Sequence, residues 1–434
     1  MSNSKIIAKN VNIHPKKFKV RTKASFTFCF TLNVDLPKYS ELIIQFRGGR
    51  NNKNDWYFLQ AEDPQKYGFI ALNLVQNYQI IPIITTGKQL TARYLILETN
   101  GIPKDQKIEF TVKNALVQSI AEKEKKIKIL IQIGRSKPIP VQDPPTLNII
   151  SGNMQNISVV APSIIRENED ASILLRIEDK FHNLVKNFDG KIELWKKNLD
   201  GNREKLKDIN IIKSDGGIKH IDEVFFKKKG IYQIEAKFKD KIYGSNLVDC
   251  KKEVYKRLYW GFIHGHTQKS DGMLSLNEYF QNLVDAGLDF GTNTEHDRIW
   301  ETSNEDFKEI KEKVEELNQE GKLVSLFGYE WGKWYTGYGD ICIYHKDGSI
   351  PIFRSEINKF NSIKKLIKKS KKYVGELLMV GHHSALRPGF RDWNYFNKDL
   401  EKLVEIYSCW GNQEYSYFSG NPLPPRYKFF GYGE

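Results

Sequence analysis

At Leu258 the sequence changes its period, and no single-core fold accommodates what lies on its two sides. Before it come short β-prone runs cut by turn residues. After it, apolar strands alternate with helices: strand 259–264, helix 275–286 ending at Gly287, strand 289–294, helix 304–320 ending at Gly321, and strand 323–329. Strands at 340–344, 376–381 and 403–409 follow, with a Lys-rich helix at 361–373 between them. The Ser303-Asn-Glu-Asp start fits helix capping preferences, as does the glycine stop. Such alternation predicts a parallel sheet or a β/α barrel, in which chemistry collects at the carboxyl ends of strands. A chain of 434 residues also exceeds what one core usually organises, so two to three domains are expected.

The part before Leu258 divides again. Phe26–Val34, Glu41–Phe46, Arg93–Leu97 and Lys107–Val112 are short β-prone runs broken by turn residues, a pattern that predicts an all-β sandwich over 1–136. Lys137-Pro-Ile-Pro-Val-Gln-Asp-Pro-Pro145 holds four prolines in nine residues and is expected to be a stiff linker. A second β domain over 146–255 follows from Ile157–Ala161, Ala171–Glu178, Lys191–Trp195 and Gly230–Ala236. Its turns, Asp179-Lys-Phe-His-Asn183 and Phe188-Asp-Gly190 before a Lys-Lys-Gly-Ile-Tyr strand start, resemble immunoglobulin-like accessory domains. His182 and His220 lie at such turns and read as surface histidines.

Net charge is +14, and its distribution decides how to use it. Residues 1–250 hold 41 Lys and Arg against 27 Asp and Glu, whereas residues 251–434 hold 26 of each. The basicity therefore says nothing about chemistry after Leu258. It leaves open a glycan or polyanion on the β domains. Nucleic acid is not expected, because basic residues are not interleaved with aromatics in a recognition motif. The Lys364–Lys372 run reads as a solvated helix face. No stretch approaches the ~20 apolar residues that span a bilayer, and Met1–Asn10 lacks the apolar core of a signal peptide, so a cytoplasmic chain is expected. Cys29, Cys250, Cys342 and Cys409 are far apart and mostly within apolar runs, which favours buried free thiols.

Six of the nine histidines lie after Leu258, at predicted strand ends. The first strand delivers His264 and His266, whose i, i+2 spacing puts two imidazoles on one face, and Asp271 follows in a Gly-containing loop. The second ends in Thr294-Glu-His296-Asp, the third in Gly328-Tyr-Glu330-Trp, and the fifth in Gly381-His382-His383-Ser. The fourth begins at Asp340 and ends at His345. Mixed imidazole and carboxylate donors suit Zn, Mn or Fe rather than Ca or Mg. Two or three such ions generate a hydroxide near neutral pH and stabilise both oxygens of an in-line displacement. Hydrolysis is the reaction the set favours.

Trp260-Gly-Phe-Ile-His-Gly-His-Thr267, Ser270-Asp-Gly272, Thr294-Glu-His-Asp297, Phe327-Gly-Tyr-Glu-Trp331 and Val380-Gly-His-His-Ser384 resemble the polymerase-and-histidinol-phosphatase (PHP) superfamily of metal-dependent hydrolases, specifically a branch of unassigned function with β domains ahead of its barrel. The resemblance covers 258 to about 420 and implies a distorted seven-stranded β/α barrel over 258–434. It implies that His264 and His266 hold one ion and Asp271 and His296 another, that Glu330 bridges, and that His383 or His382 completes a site. Arg387 and Arg391 would orient a phosphate, since a guanidinium fork matches its oxygens. The substrate implied is a small phosphoester.

Three departures from the family pattern bear on activity. Phe262 stands where the family usually has an Asp, which removes an acidic partner expected to orient a ligand. Asp340 stands where a His is frequent, a changed ligand, with His345 farther along the strand as the alternative. The final Asp-x-His motif is missing after Ser408–Glu414, so the barrel is expected to be incomplete at its C-terminus. These departures support the competing expectation of a non-catalytic glycan- or polyanion-binding protein with a degenerate barrel.

Overall fold

The computed structural model describes all residues except 1–5, 47–54, 57–58, 86–89, 319–322, 333–338, 347, 385–390, 409–410, 416–418 and 423–434. The chain is rich in β-structure and divides into two compact units, Met1–Ala161 with Asn168–Val248, and Pro162–Glu167 with Asp249–Glu434.

In the first unit, Lys23–Leu32 buries every second side chain, and it lies between Ala8–His14 and Lys107–Leu116 in an antiparallel sheet edged by Phe69–Asn73. A second antiparallel sheet runs Ile139–Pro140, Lys128–Gln132, Glu41–Phe46, Leu90–Ile96, Ile80–Thr85. Phe28, Phe30 and Phe110 share one core with Leu42, Ile44 and Ile96, and the Phe28 and Phe110 rings stack at 5.1 Å. The proline-rich segment is not merely a linker: Ile139–Pro140 pairs with Leu130–Ile131. The missing proline N–H is tolerated because the strand is an edge.

The second β block packs Asn156–Val160, Asp170–Glu178 and Ile218–Phe225 in one sheet. A second sheet contains Gly190–Asn198, Arg203–Ile211, Gly230–Phe238 and Lys241–Lys251. Ile173, Leu175, Ile192, Leu194 and Ile234 are buried between turns. The 179–183 turn is tied by the buried Asp179 carboxylate, which accepts from the Phe181, Asn183 and Gly152 amides at 2.8, 3.0 and 2.7 Å. His182 and His220 are exposed, as expected. Cys250 and Cys342 are buried, Cys29 is half-buried, and all three are free. Cys409 lies outside the described residues.

Among the described residues the second unit carries three α-helices: α1 (Leu276–Asp285), α2 (Asn304–Leu317) and α3 (Ile363–Ser370). Ser275 with Glu278 and Ser303 with Asp306 close reciprocal capping boxes, each satisfying two otherwise orphaned N–H groups. Helix α1 buries Leu276, Tyr279, Phe280 and Leu283, the i, i+3, i+4, i+7 stripe of an amphipathic helix. In α3, Ile363, Leu366 and Ile367 are buried while Lys364, Lys365, Lys368 and Lys369 are exposed, the solvated face expected of that run. No helix among the described residues is long and apolar enough to cross a membrane.

The strands of this unit form two principal sheets, and no closed barrel is present among the described residues. Gly261–Phe262, Phe290–Gly291 and Val324–Ser325 are all parallel. The larger sheet runs Glu295–His296, Phe327–Trp331, Ile341–His345, Leu377–Gly381, Leu403–Val404. Its central strand, Ile341–His345, is antiparallel to both neighbours, whereas the outer pairings are parallel. The expectation of a parallel sheet therefore fails at this strand, whose two ends exchange places relative to its neighbours.

Candidate metal centre

Three segments converge on Glu330: the 263–272 loop, the strand end at His296, and His382–His383. The loop is pinned at several points. Tyr344 Oη donates to the Ile263 carbonyl at 2.9 Å, and the Thr294 amide donates to the Gly265 carbonyl at 2.7 Å. The buried Glu295 carboxylate accepts from the Thr267 amide and Asn293 Nδ2 at 2.8 and 3.0 Å, and also from Ser270 Oγ. Glu295 thus folds the loop rather than joining the centre. Gly272 closes it, since a Cβ there would stand 2.0 Å from the His266 carbonyl oxygen. Lys269 reaches Asp306 at 2.8 Å, and Glu309 as well, fastening the loop to the start of α2.

Glu330 lies in the fully buried strand Phe327–Trp331, and its two carboxylate oxygens face different histidines. Oε2 stands 3.1 Å from His266 Nε2, 3.3 Å from His296 Nδ1 and 3.6 Å from His264 Nε2. Oε1 faces His382 Nε2 at 3.8 Å. Asp271 adds its oxygens at 3.7 Å from His266 Nδ1 and 3.6 Å from His296 Nε2. Donor atoms close enough to share an ion fall into overlapping groups: His264, His266 and Glu330; His266, Asp271 and His296; Glu330, His382 and His383. A neutral imidazole has one lone pair, so His266 serves one of its two groups at a time.

Distances separate positions that fit an ion from those that do not. Two ligand atoms on one tetrahedral ion, each bonded at roughly 2.0–2.1 Å, stand about 3.3 Å apart. The separations of 3.1 to 3.8 Å around Glu330 and Asp271 match that spacing. A fourth group, His264, His382 and Glu405, does not: Glu405 Oε2 is 2.5 Å from His264 Nδ1 and Oε1 is 2.8 Å from His382 Nδ1. Those are charge-assisted hydrogen bonds.

Electrostatics suit the same division. Burial alone would raise the Glu330 carboxyl, but His296, His264, His266 and His382 hold it well below the usual range. Glu405 is likewise depressed: burial opposes its charge, and His264 and His382 outweigh burial. His266 is pushed down to about 4, chiefly by burial and further by His296 and His264, against the pull of Glu330. Burial and then His382 push His383 well down too. At neutral pH His266 and His383 are therefore neutral imidazoles with a lone pair available. Glu330, His382 and His383 are buried, whereas His264, His266, Asp271 and His296 keep part of their side chains exposed, which leaves the centre open on one side.

Of the residues singled out in the sequence, His264, His266, Asp271, His296, Glu330, His382 and His383 come together. His383 is held at φ +54°, a backbone conformation uncommon for residues with a Cβ. Asp340 is buried beside the centre but joins none of its groups; burial and then Glu330 push its carboxyl well up. His345 is far from the site end of its strand. Ile341 pairs with Trp331 and Gly381, whereas His345 pairs with Phe327 and Leu377 and packs on the Phe327 and Tyr329 rings. Arg391, expected to orient a phosphate, is wholly buried. Its guanidinium holds Glu401 through Nε and Nη2 at 2.9 and 2.8 Å, and also the Asp392 and Tyr395 carbonyls. With those donors occupied it has no fork to offer a substrate. Arg387 lies outside the described residues.

Glu405 was not singled out in the sequence. Its backbone N–H donates to the Gly381 carbonyl at 3.0 Å, one residue beyond the pairing of Val404 with Gly381, and this sets its carboxylate beside His382. The available signal was a lone acid inside the apolar run Leu403-Val-Glu-Ile406. Glu405 orients ligand candidates, His264 and His382, as an acid at position 262 was expected to orient a ligand. Phe262 itself is half exposed.

No family model matches the chain. It is similar to an uncharacterized protein of Chlamydia muridarum (strain MoPn / Nigg), 29% identical over 295 residues that cover 65% of this chain and 46% of the relative. A second uncharacterized protein, from Chlamydia trachomatis serovar D, is 28% identical over 288 residues, covering 64% and 45%. The chain spans about half the length of the curated relatives it matches. Among solved structures, a marsupial T cell receptor aligns at 7% identity over 54% of this chain and 70% of that chain, with a TM-score of 0.18. An Escherichia coli alpha-2-macroglobulin activated by porcine elastase aligns at 9% identity over 56% and 23%, with a TM-score of 0.19. Both likenesses are too faint to bear on the fold.

Proposed function

We propose that the second unit is a metal-dependent hydrolase acting on small phosphoesters, and that its sheets are parts of a distorted β/α barrel of the PHP kind. The observation that carries this reading is the carboxylate of Glu330, set among four imidazoles with each oxygen facing a different group at ion-sharing separations. His264, His266 and Glu330 would hold one divalent ion, Glu330 with His382 and His383 a second, and Asp271 with His296 a third. Zn, Mn or Fe suits these donors. Such ions supply Lewis acidity toward a phosphoryl oxygen and lower the pKa of water at the site.

The protein's own part is to fix and shield the donors. Burial keeps His266 and His383 neutral, the Glu295-tied loop presents Asp271, and the partly exposed side of the cluster admits a substrate. Arg391 has no part in substrate binding.

The test is elemental analysis of purified protein after dialysis against Zn or Mn, with hydrolysis of a phosphomonoester and phosphodiester panel followed in parallel. The wild type is expected to retain at least two ions per chain and to lose turnover on chelation. Glu330→Gln, which keeps the shape and removes the charge, is expected to retain at most one. No metal above background in the wild type, with no turnover across the panel, would overturn the proposal.

A further inference from the structure

We infer that Glu405 is a positioning residue that sets the tautomers of two ligand histidines at once and thereby couples two ion positions. The inference rests on the metal-centre reading above. Its basis is that one carboxylate contacts the Nδ1 atoms of both His264 and His382 at hydrogen-bond lengths, Oε2 on one and Oε1 on the other. A carboxylate accepts only, so both imidazoles carry a proton on Nδ1, and Nε2 is the nitrogen each ring has left to offer an ion. Those two Nε2 atoms are the ones aimed at Glu330, His264 toward Oε2 and His382 toward Oε1. They belong to different donor groups.

The arrangement is fixed from three directions. The rings of His264 and His382 meet edge to face at 4.3 Å. The His382 backbone N–H donates to the Asp340 carbonyl at 3.0 Å, and the Glu405 N–H to the Gly381 carbonyl at 3.0 Å. Neither imidazole needs to search for the productive tautomer when an ion arrives. Carboxylate partners of ligating histidines orient the ring and raise its basicity, and losing one typically costs ~10–100-fold in metal affinity. Here a single carboxylate serves two positions, so both are expected to weaken together.

Glutamine at 405 sharpens the argument. Its neutral amide oxygen can accept from one Nδ1–H, a weaker partner than the carboxylate it replaces, and its NH2 then faces the other imidazole. That ring must lose its partner or move its proton to Nε2, where it can no longer ligate. Aspartate keeps two acceptor oxygens on a shorter stem. A role in packing alone predicts that the isosteric Glu405→Gln is mild and that the shortened Glu405→Asp is the more damaging change. Tautomer control predicts the reverse order.

The experiment is titration of Co2+ into metal-free full-length wild type, Glu405→Gln, Glu405→Asp and His264→Ala, followed by visible absorption and by equilibrium dialysis with elemental analysis. Circular dichroism of each variant checks its fold. Expected are two weakened binding steps in Glu405→Gln, by ~10–100-fold each, with altered ligand-field bands, substantial recovery in Glu405→Asp, and one weakened step in His264→Ala. Folded Glu405→Gln that binds Co2+ in two steps like wild type would overturn the inference and leave the metal centre standing. The same holds if Glu405→Asp proves the weaker binder of the two. Wild type that binds no Co2+ overturns both.

Discussion

Arg391 and Glu401 define the sharpest energetic expectation for the second unit. Their side chains are 0% and 1% exposed, and two parallel N–H···O bonds of 2.9 and 2.8 Å join them. The Arg391 backbone N–H donates to the His383 carbonyl at 3.1 Å, so the pair also anchors the segment that follows the two adjacent histidines. Glu401→Gln keeps the volume and leaves a guanidinium buried without a counter-charge. Breaking a buried pair in this way costs ~3–5 kcal/mol. A domain of 150–250 residues loses ~2–4 °C in Tm per kcal/mol, so the transition of this unit is expected to fall by about 6–20 °C. Differential scanning calorimetry and urea unfolding both read it. A double variant, Arg391→Met with Glu401→Leu, removes both charges and is expected to recover most of the loss, because replacing a buried pair with apolar side chains is often neutral or better. The reasoning fails if Glu401→Gln changes stability by less than ~1 kcal/mol, below the buried-pair range. It fails equally if Arg391→Met raises the KM for a phosphoester many-fold while stability holds, since Arg391 would then be binding substrate.

Two further expectations concern a helix start and a turn. Burial opposes the charge of Asp306, but Lys269 and the Ser303 cap outweigh it and hold its carboxyl below its ordinary value of 3.8. A depressed folded pKa contributes stability above the unfolded value that is lost as pH falls through the folded one. Wild type is therefore expected to exceed Asp306→Asn in urea midpoint at pH 7, with the gap closing below about pH 3.8, the ordinary carboxyl range; a gap independent of pH refutes the assignment. Gly101 and Gly201 both have positive φ, +70° and +85°, yet a Cβ at 101 would meet the Leu36 carbonyl oxygen at 2.2 Å whereas 201 is open. Gly201→Ala is expected to cost about 1–2 kcal/mol of backbone strain and Gly101→Ala clearly more; equal losses in the first unit's unfolding would discredit the clash.

Most of the β framework was readable from local pattern because period-two alternation directly reports which face is buried. The strands at 23–32 and 107–112 follow from it, while the Ser303 cap follows from its own capping residues. Direction is a different matter. An apolar run such as Ile341-Cys-Ile-Tyr-His345 reads the same whichever way it runs, and only its pairing with Trp331 and Gly381 reveals that it is antiparallel. That one reversal moved His345 into the core and brought Asp340 to the site end. Likewise, prolines forbid a central strand but not an edge, so Lys137–Pro145 carried two meanings that only the partner strand at 128–132 separates.

The metal candidates were legible for a related reason. An ionisable side chain placed in or at the end of an apolar run has few structural uses, and His264, His266, Glu330, His382 and His383 all announce themselves that way. What the pattern cannot carry is the hydrogen bond on the far side of each imidazole, which decides which nitrogen holds the proton. For His264 that partner is 141 residues away, and for His382 it is 23. Both meet Glu405 because Val404 is in register with Gly381. A one-residue slip in that pairing would turn the Glu405 side chain to the opposite face of the sheet, with Val404 or Ile406 in its place. Two histidines at i, i+2 therefore specify where a pair of nitrogens can point, while the register of a distant two-residue strand specifies whether those nitrogens are lone pairs or N–H groups.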